Sequence, residues 1–408
     1  MRLSSLWRGL TLAPALVGGV ALADAPQNHR LTEAAFLEAL DEQHPAFQSL
    51  TDRLGAARAD QSQAGVLINP TFGVEYEAPE GTTHQTTWTV AWTPPLDGRR
   101  GLRVRASQEA AEAARLELEA ERLALRMRLR AVYAHWAVAH ERSAVIGSHV
   151  QFIQQLAAQM RARAAAGEAS GLAARRFALA RLEVESQLAL AEAEELRAHS
   201  EAIGWRSGLP PEALPAMPPL PEVPPGMAFT GRPDLEARKH EVEAAKAQAG
   251  LARRVLAFPE LGVGWQQQDD EGQDFEGPTY ALSWDVPIFD RQQADRIEAD
   301  SRLAAAEARL EHATARASAE FEGARAAYER VRASALEVAD GVKDTDAIIE
   351  SAASSYRLGE GSVTDLLETL SSVLDSRVAA LELYDAGLAA HRHLEAAAGR
   401  PLTAGTGE

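Results

Sequence analysis

The stretch TYALSWDVPIFDR, residues 279–291, differs from the chain around it. It alternates apolar and polar residues with period two, as a β-strand with one apolar face does, and it ends on a proline turn. The stretch TWTVAWTPPLDGRR, at 87–100, shows nearly the same pattern earlier in the chain. Most of the remaining chain is rich in Ala, Leu, Glu and Arg, which favour helix. The sequence therefore predicts a mainly α protein with a small β part that occurs twice.

The N-terminal segment, 1–23, has the features of a cleaved secretory signal. Arg2 and Arg8 precede the apolar stretch LTLAPALVGGVALA, and Ala21 and Ala23 place small residues at the expected cleavage site. The apolar stretch is shorter than the roughly 20 residues of a membrane-spanning helix. We therefore expect an exported protein whose mature chain begins near Asp24.

Composition excludes several classes of function. The chain has 408 residues and no cysteine, which excludes disulfides, thiolate metal sites and a cysteine-linked lipid anchor. With 41 basic and 59 acidic side chains, its formal charge is −18, so nucleic acid is not an expected partner. No later segment is a continuous apolar run long enough to span a membrane as a helix. A soluble periplasmic protein and an outer-membrane β-barrel protein both remain compatible with these facts.

The chain is an internal duplication. Three pairs of identical residues share one separation along the chain: Trp92 with Trp284, Pro95 with Pro287, and Arg99 with Arg291. The segments 96–209 and 288–400 contain no proline, which permits very long helices. Gly167 and Gly359 lie equally far along the chain from Pro95 and Pro287, respectively. Each glycine is therefore expected to turn a long helical hairpin, whose first helix would extend about 100 Å.

These patterns predict the organisation of the whole chain. We expect a signal peptide at 1–23, a first repeat at 24–207, a Pro-rich connector at 208–233, a second repeat at 234–400 and a flexible tail at 401–408. Each repeat is expected to contain a helix, a β-hairpin and a long helical hairpin. The β-hairpins are predicted at 71–93 and 260–287, and the helical hairpins turn near 167 and 359.

The predicted strands have one apolar, aromatic face, which suits either lipid or a soluble sheet packed against the helices. Four strands cannot close a membrane barrel, for which about eight is the minimum, and open sheet edges are not tolerated in lipid. Strands that span a membrane would therefore require two or three copies of the chain. The residues expected to face lipid are Trp88, Val90, Trp92, Leu261, Val263, Trp265, Tyr280, Leu282 and Trp284.

Several longer segments carry a resemblance to a known family. RPDLEARKHEVEAAKAQAGLARR followed by FPELGVGW, the strand exit DVPIFDR, and YRLGEGSVTDLLETLSSVLDSR resemble the TolC-like outer-membrane efflux proteins. The resemblance covers essentially the whole mature chain. RPDLEA together with PIFDR is most similar to the outer-membrane components of heavy-metal (cobalt–zinc–cadmium type) resistance–nodulation–division systems.

The resemblance implies an architecture and a set of partners. It implies a homotrimer whose three chains share one 12-stranded outer-membrane barrel, continued by long helical hairpins that form a periplasmic helical barrel. Such a protein is a passive duct that passes substrates, including heavy-metal cations, from an inner-membrane resistance–nodulation–division pump and a periplasmic adaptor to the exterior. The alternative is a soluble periplasmic coiled-coil or adaptor protein.

The resemblance also implies two kinds of site at the helical turns. Asp365 and Glu368 correspond to acids of the periplasmic gate, although such a pair is ordinarily a solvated helix flank. The adaptor-docking tips correspond to Gly167, Ser170, Arg357, Leu358, Gly359 and Ser362. A purely structural role for the two glycines, as turn residues, is the alternative.

No enzyme signature is present. The sequence lacks a G-x-S-x-G elbow, a P-loop and an H-E-x-x-H motif. His391 and His393 are two positions apart, so on a helix they point to different faces and are not expected to share a metal. We therefore expect no catalysis, no cofactor and no resident metal site.

Overall fold

The computed structural model describes residues 30–38, 45–78, 83–167, 170–206, 208–210, 212–229, 231–270 and 273–402. The predicted signal peptide and positions 403–408 of the predicted tail lie outside this range. The helices are α1 (Glu33–Glu38), α2 (Pro45–Ala64), α3 (Arg99–Ala165), α4 (Gly171–Trp205), α5 (Pro233–Ala252), α6 (Gln293–Gly341), α7 (Thr345–Leu358) and α8 (Val363–Ala398). The strands are β1 (Thr71–Glu77), β2 (Thr83–Trp92), β3 (Glu260–Asp270) and β4 (Gln273–Ser283). The predicted fold class, mainly helical with a small β part, is confirmed.

The long helices follow from composition, with one interruption. α3 runs for 67 residues without a break. The corresponding helix of the second repeat ends at Gly341, and α7 begins at Thr345. The Lys343 and Thr345 amides donate to carbonyls three positions back, at 3.2 and 3.4 Å, as in a tight turn. Gly341 weakens the helix by about 1 kcal/mol relative to alanine, and Asp344 stands at the N-cap of α7.

The described residues form two compact units, and each unit draws on both repeats. Unit 1 lies within Met1–Asp41, Ala124–Ala228 and Phe321–Glu408, and unit 2 within Glu42–Leu123 and Phe229–Glu320. The duplicated segments therefore do not fold as two consecutive domains.

Unit 1 is helical and holds most of the Pro-rich connector against its helices. Three tyrosine hydroxyls donate to carbonyls of the connector: Tyr133 to Ala216 at 2.7 Å, Tyr384 to Pro218 at 2.9 Å, and Tyr328 to Pro221 at 2.6 Å. Burial raises the pKa of Tyr328 to about 12. These contacts satisfy carbonyls that a segment without regular structure would otherwise leave unpaired.

A buried ion cluster ties both ends of unit 1 together. The Arg130 guanidinium bonds Glu33 at 2.9 Å and also pairs with Glu395. Burial raises the pKa of the Glu395 carboxyl, although Arg130 favours the charged form. The same carboxylate accepts the Leu402 amide at 2.7 Å. Leu402, at the start of the predicted tail, is therefore buried and hydrogen-bonded.

Unit 2 contains a four-stranded antiparallel sheet in the order β1-β2-β3-β4. β2 of the first repeat pairs directly with β3 of the second, so Trp88 lies opposite Trp265 and Val90 opposite Val263. Gly264 permits this pairing, because a Cβ there would come within 2.4 Å of the Trp88 carbonyl oxygen. The two hairpins thus form one sheet.

Helices α3 and α5 pack against each other in unit 2. Gly250 lies against Leu102, where a Cβ would come 3.5 Å from the leucine methyl. Arg105 bonds Glu243 at 3.0 Å, and a Glu109 carboxylate oxygen lies 2.7 Å from the His240 ring nitrogen. These contacts fix the first turns of α3 beside the last turns of α5.

Charged side chains recur along the described helices. None of these helices has a stretch both long and apolar enough to cross a lipid bilayer.

Candidate channel-forming sheet and helical tips

The sheet presents one continuous apolar face. The cross-strand register places eight of the nine predicted lipid-facing residues on this face: Trp88, Val90, Trp92, Leu261, Val263, Trp265, Tyr280 and Leu282. All are exposed except Trp88, which is half-buried. The predicted set left out Phe72, Val74 and Tyr76 of β1, which extend the same face and are also exposed. Their strict alternation was the signal that identifies them.

The ninth predicted residue, Trp284, lies just beyond β4 and has a role shared with its duplicate. Its indole nitrogen donates to the Ala257 carbonyl at 3.1 Å. The Trp92 indole makes the same kind of bond to Ile68, at 2.9 Å. In both repeats, therefore, a tryptophan at the end of a hairpin is tied to the segment that enters the hairpin.

The opposite face of the sheet is small and polar. Thr87 and Thr89 lie there, paired with Gln266 and Gly264 of β3. β1 and β4 are the outer strands, each paired on one side only. An apolar face, a polar face and two open edges are the features of a segment of a larger barrel.

The two helical tips use the same turn chemistry. Gly167, just beyond α3, and Gly359, the C-cap of α7, have φ values of 77° and 80°, a conformation that side chains with a Cβ rarely adopt. Three positions later, Ser170 and Ser362 are the N-caps of α4 and α8, and each hydroxyl accepts a backbone amide at 3.1 Å. The six predicted docking residues are therefore brought to the ends of the two hairpins.

The second tip exposes an apolar side chain. Leu358 is 75% exposed, whereas Arg357 lies along α7, bonding Glu350 at 2.7 Å and Ser354 at 2.9 Å. At the first tip, Leu172 is exposed in a comparable place, and sequence reasoning did not single it out. Both tips thus offer one exposed leucine beside a tight turn.

The two predicted gate acids have different surroundings. Asp365 closes a capping box: its carboxylate accepts the Ser362 amide at 2.9 Å, and its own amide donates to the Ser362 hydroxyl. The backbone hydrogen bond from Ser362 lowers the pKa of this carboxyl. Glu368 is exposed and faces solvent beside Ser371, Ser372 and Asp375. Asp375 is a further acid on this face. It follows Glu368 by seven positions, or two helical turns, so the sequence alone could have placed it on the same side of α8.

A buried arginine fixes the start of α7 against α8. Arg377 is 6% exposed and donates to Thr345 at 2.9 Å and to Asp346 at 2.5 Å. His149 lies nearby, where burial, followed by the charge of Arg377, lowers its pKa to about 4. Sequence reasoning missed this contact, because its members lie on different helices.

The two histidines of HRH differ in surroundings, as their spacing predicts. His391 is buried, its ring centre 5.2 Å from that of Tyr328, and burial lowers its pKa to about 4. His393 is exposed. Across the described ranges, no group of three or more histidines and acids is arranged to hold a metal ion.

Comparisons with known proteins support the class that this geometry suggests. Residues 225–400 match the family model described as outer membrane efflux protein. The nickel-cobalt-cadmium resistance protein NccC of Alcaligenes xylosoxydans xylosoxydans is 26% identical over 327 residues, covering 74% of this chain and 70% of that protein.

Solved structures share the fold. The crystal structure of CusC superposes with a TM-score of 0.76 at 17% identity, covering 90% of this chain and 92% of that one. The outer membrane protein VceC of Vibrio cholerae gives a TM-score of 0.73 at 17% identity, with 90% and 96% coverage.

The chain is therefore similar to the outer-membrane efflux channels, as the sequence resemblance predicted. The predicted function and location, an efflux channel of the outer membrane with a large periplasmic helical portion, are confirmed over the alternative of a soluble adaptor. This family and fold consist of channel proteins rather than enzymes. Proteins of this class form trimers and work with adaptors and inner-membrane pumps.

Proposed function

We propose that three copies of this chain form one 12-stranded barrel in the outer membrane and act as a passive duct for metal cations. The supporting observation for the trimer is the sheet itself, which has four strands, an exposed apolar face and two open edges. An open edge in lipid leaves backbone groups unpaired at several kcal/mol each, so the chain requires partner strands. Three copies supply twelve strands.

Metal cations are proposed as substrates on two grounds. The relative NccC is described as a nickel-cobalt-cadmium resistance protein. In addition, Glu368 and Asp375 lie on one exposed face of α8, where threefold symmetry would multiply each carboxylate into a ring. Acidic rings favour cations over anions in a pore.

The gate and docking roles follow from this arrangement. Asp365 and Glu368 are proposed to line the periplasmic entrance, with Asp365 also holding the first turn of α8 through its capping bond. Leu358 is the best candidate for a direct contact with a partner, because it is the exposed apolar residue at the second tip. The full set proposed to contact a periplasmic adaptor, which connects the duct to a resistance–nodulation–division pump, is Gly167, Ser170, Arg357, Leu358, Gly359 and Ser362.

The substrate is tested by deletion of the gene and growth across nickel, cobalt, cadmium, zinc and copper salts and a panel of antibiotics. We expect hypersensitivity to one or more metals, restored by the wild-type gene. Hypersensitivity confined to antibiotics would contradict the metal assignment. Native mass spectrometry of outer-membrane extracts tests the trimer, and a folded monomer there would contradict the shared barrel.

A further inference from the structure

We infer that unit 2 contains a binding site for one anionic phospholipid where the sheet joins α3 and α5. A pocket of about 290 Å³ opens there, with apolar walls that include Ile68, Pro95 and Leu251. Arg99 and Arg103 line the same pocket. It lies directly beyond the end of β2, at the border between the sheet and the helices.

The two arginines are available for a ligand. Neither guanidinium has an ion pair or a hydrogen bond with any residue that the structure describes. They are four positions apart and so lie on one side of the first turns of α3. The pocket also contains the carboxylate of Asp97, one oxygen of which accepts a hydrogen bond from the Arg99 backbone amide at 3.0 Å.

Their position on the helix favours an anion. Positive charge is unfavourable at a helix N-terminus, where the free amides already carry partial positive charge, and the first turn of α3 has no acidic residue. A phosphate between Arg99 and Arg103 would neutralise both guanidinium groups and interact favourably with the helix end.

The surroundings of the pocket select a phosphate that carries acyl chains. Exposed apolar residues surround the sheet–helix junction in both repeats, and Phe289 is 91% exposed. The others after the strand exits are Leu96, Val286 and Ile288. Leu96 directly follows Pro95 of the pocket wall and is 72% exposed, so an acyl chain that leaves the pocket beside it meets apolar surface. The pocket itself has room for a headgroup phosphate and the glycerol end of a lipid.

The second repeat supplies a matched comparison. Arg291 stands at the position equivalent to Arg99, but Asp295 stands at the position equivalent to Arg103. An acid at this position opposes phosphate binding. We therefore assign the site to the first repeat alone, which gives one lipid per chain.

The test measures retention of phosphatidylglycerol by purified trimers in native mass spectrometry, with phosphatidylcholine and inorganic phosphate as the other arms. We expect one phosphatidylglycerol per chain and weaker binding of phosphatidylcholine. The Arg99→Gln/Arg103→Gln variant should bind at least about tenfold more weakly, because each charge-assisted bond to phosphate contributes on the order of a factor of ten. Arg291→Gln should bind as the wild type does.

Two further variants keep the result interpretable. Arg99→Lys/Arg103→Lys retains the charge and should retain part of the binding even if the glutamine variant fails to assemble. Ile68→Ser should weaken lipid binding without changing the binding of inorganic phosphate. Unchanged retention in the glutamine variant, or inorganic phosphate that displaces the lipid at equal concentration, would overturn the assignment.

The inferred lipid site rests on the proposed function, which places the sheet in the membrane. Different results would contradict the lipid site and the membrane position. Wild-type trimers that conduct in a planar bilayer but retain no phosphatidylglycerol would overturn the lipid site alone. Protein that neither conducts nor associates with bilayers would overturn the membrane position and, with it, the lipid site.

Discussion

The first and second helical hairpins end in the same kind of turn, but the helices that flank the turn make different contacts. In the first, α3 is continuous, and Gln154 donates to Glu185 at 2.9 Å on the exposed surface. The equivalent two positions of the second repeat hold Asp346 and Arg377, which form a largely buried ion pair in the first turn after the interruption between α6 and α7. Duplication therefore preserved the contact between the two helices while its chemistry changed from an exposed amide–acid pair to a largely buried ion pair.

The two proposed gate acids also differ between the hairpins. Asp365 and Glu368 of the second hairpin correspond to Ala173 and Arg176 of the first. Turn residues were kept in both, because a left-handed glycine and a capping serine suit any tight helical turn. The difference indicates that the turn is a common structural device and that the two proposed gate acids, Asp365 and Glu368, occur in the second hairpin alone.

The largest expected difference between the hairpins concerns Arg377. Arg377→Met should lower the free energy of opening of α7 by roughly 3 kcal/mol, because it leaves Asp346 without its partner in a largely buried contact. Glu185→Met, at the equivalent position in the more exposed contact, should change stability by at most about 1 kcal/mol, because solvent-screened pairs contribute little. Hydrogen exchange of α7 and of the equivalent part of α3 measures both. Equal losses would show that the two contacts are energetically alike.

The sheet is where the two repeats should behave alike. Val90 and Val263 lie opposite each other on the apolar face, so arginine at either position should destabilise the assembled trimer by about 2–4 kcal/mol if both lie near the bilayer midplane. Thr89→Arg, on the polar face, is the control and should cost much less. The measurement is the urea dependence of trimer dissociation in lipid. A large loss for Thr89→Arg and none for Val90→Arg would reverse the assigned faces.

A smaller effect is expected from the helix caps. Ser170→Ala and Ser362→Ala should each cost about 1 kcal/mol of local stability. Only the second cap should depend on pH, because Asp365 accepts the Ser362 amide and Ala173 has no equivalent carboxylate. The folded pKa of Asp365 is lowered, so its contribution is present above its unfolded pKa of about 3.9 and is lost as pH falls through the lower folded value.

Hydrogen exchange at the two tips between pH 7 and pH 3 measures this dependence, with Asp365→Asn as the control. The second tip of the wild type should become less protected in acid relative to the first. An identical pH response in the Asp365→Asn variant would contradict the role of the carboxylate.

The sequence was sufficient to predict the sheet face and the turns, because both depend on local rules. Alternation with period two holds for any strand with one apolar side, and this identified Val90, Val263 and Tyr280 correctly as members of one face. The glycine–serine spacing predicted the turns for the same reason. The capping role of Asp365 was also readable, since Ser362 precedes it by three positions.

The remaining features depend on tertiary structure. The interruption after Gly341 reflects a difference of about 1 kcal/mol in helix propensity, which many continuous helices tolerate. Arg377 gave no local sign of burial, because its partners Thr345 and Asp346 lie on another helix. The direct pairing of β2 with β3 joins strands from different repeats, far apart in the chain, which no local pattern encodes.

The proposed cation preference of the second hairpin is tested most directly by the reversal potential of single trimers in a planar bilayer under a potassium chloride gradient. The wild type should conduct and prefer potassium over chloride, and Glu368→Gln/Asp375→Asn should lose most of that preference while remaining trimeric. Glu337→Gln, an exposed acid of α6 away from these carboxylates, removes a comparable charge and should leave the preference unchanged. A wild-type channel that prefers chloride, or an intact double variant with wild-type selectivity, would contradict a cation-selecting gate in the second hairpin.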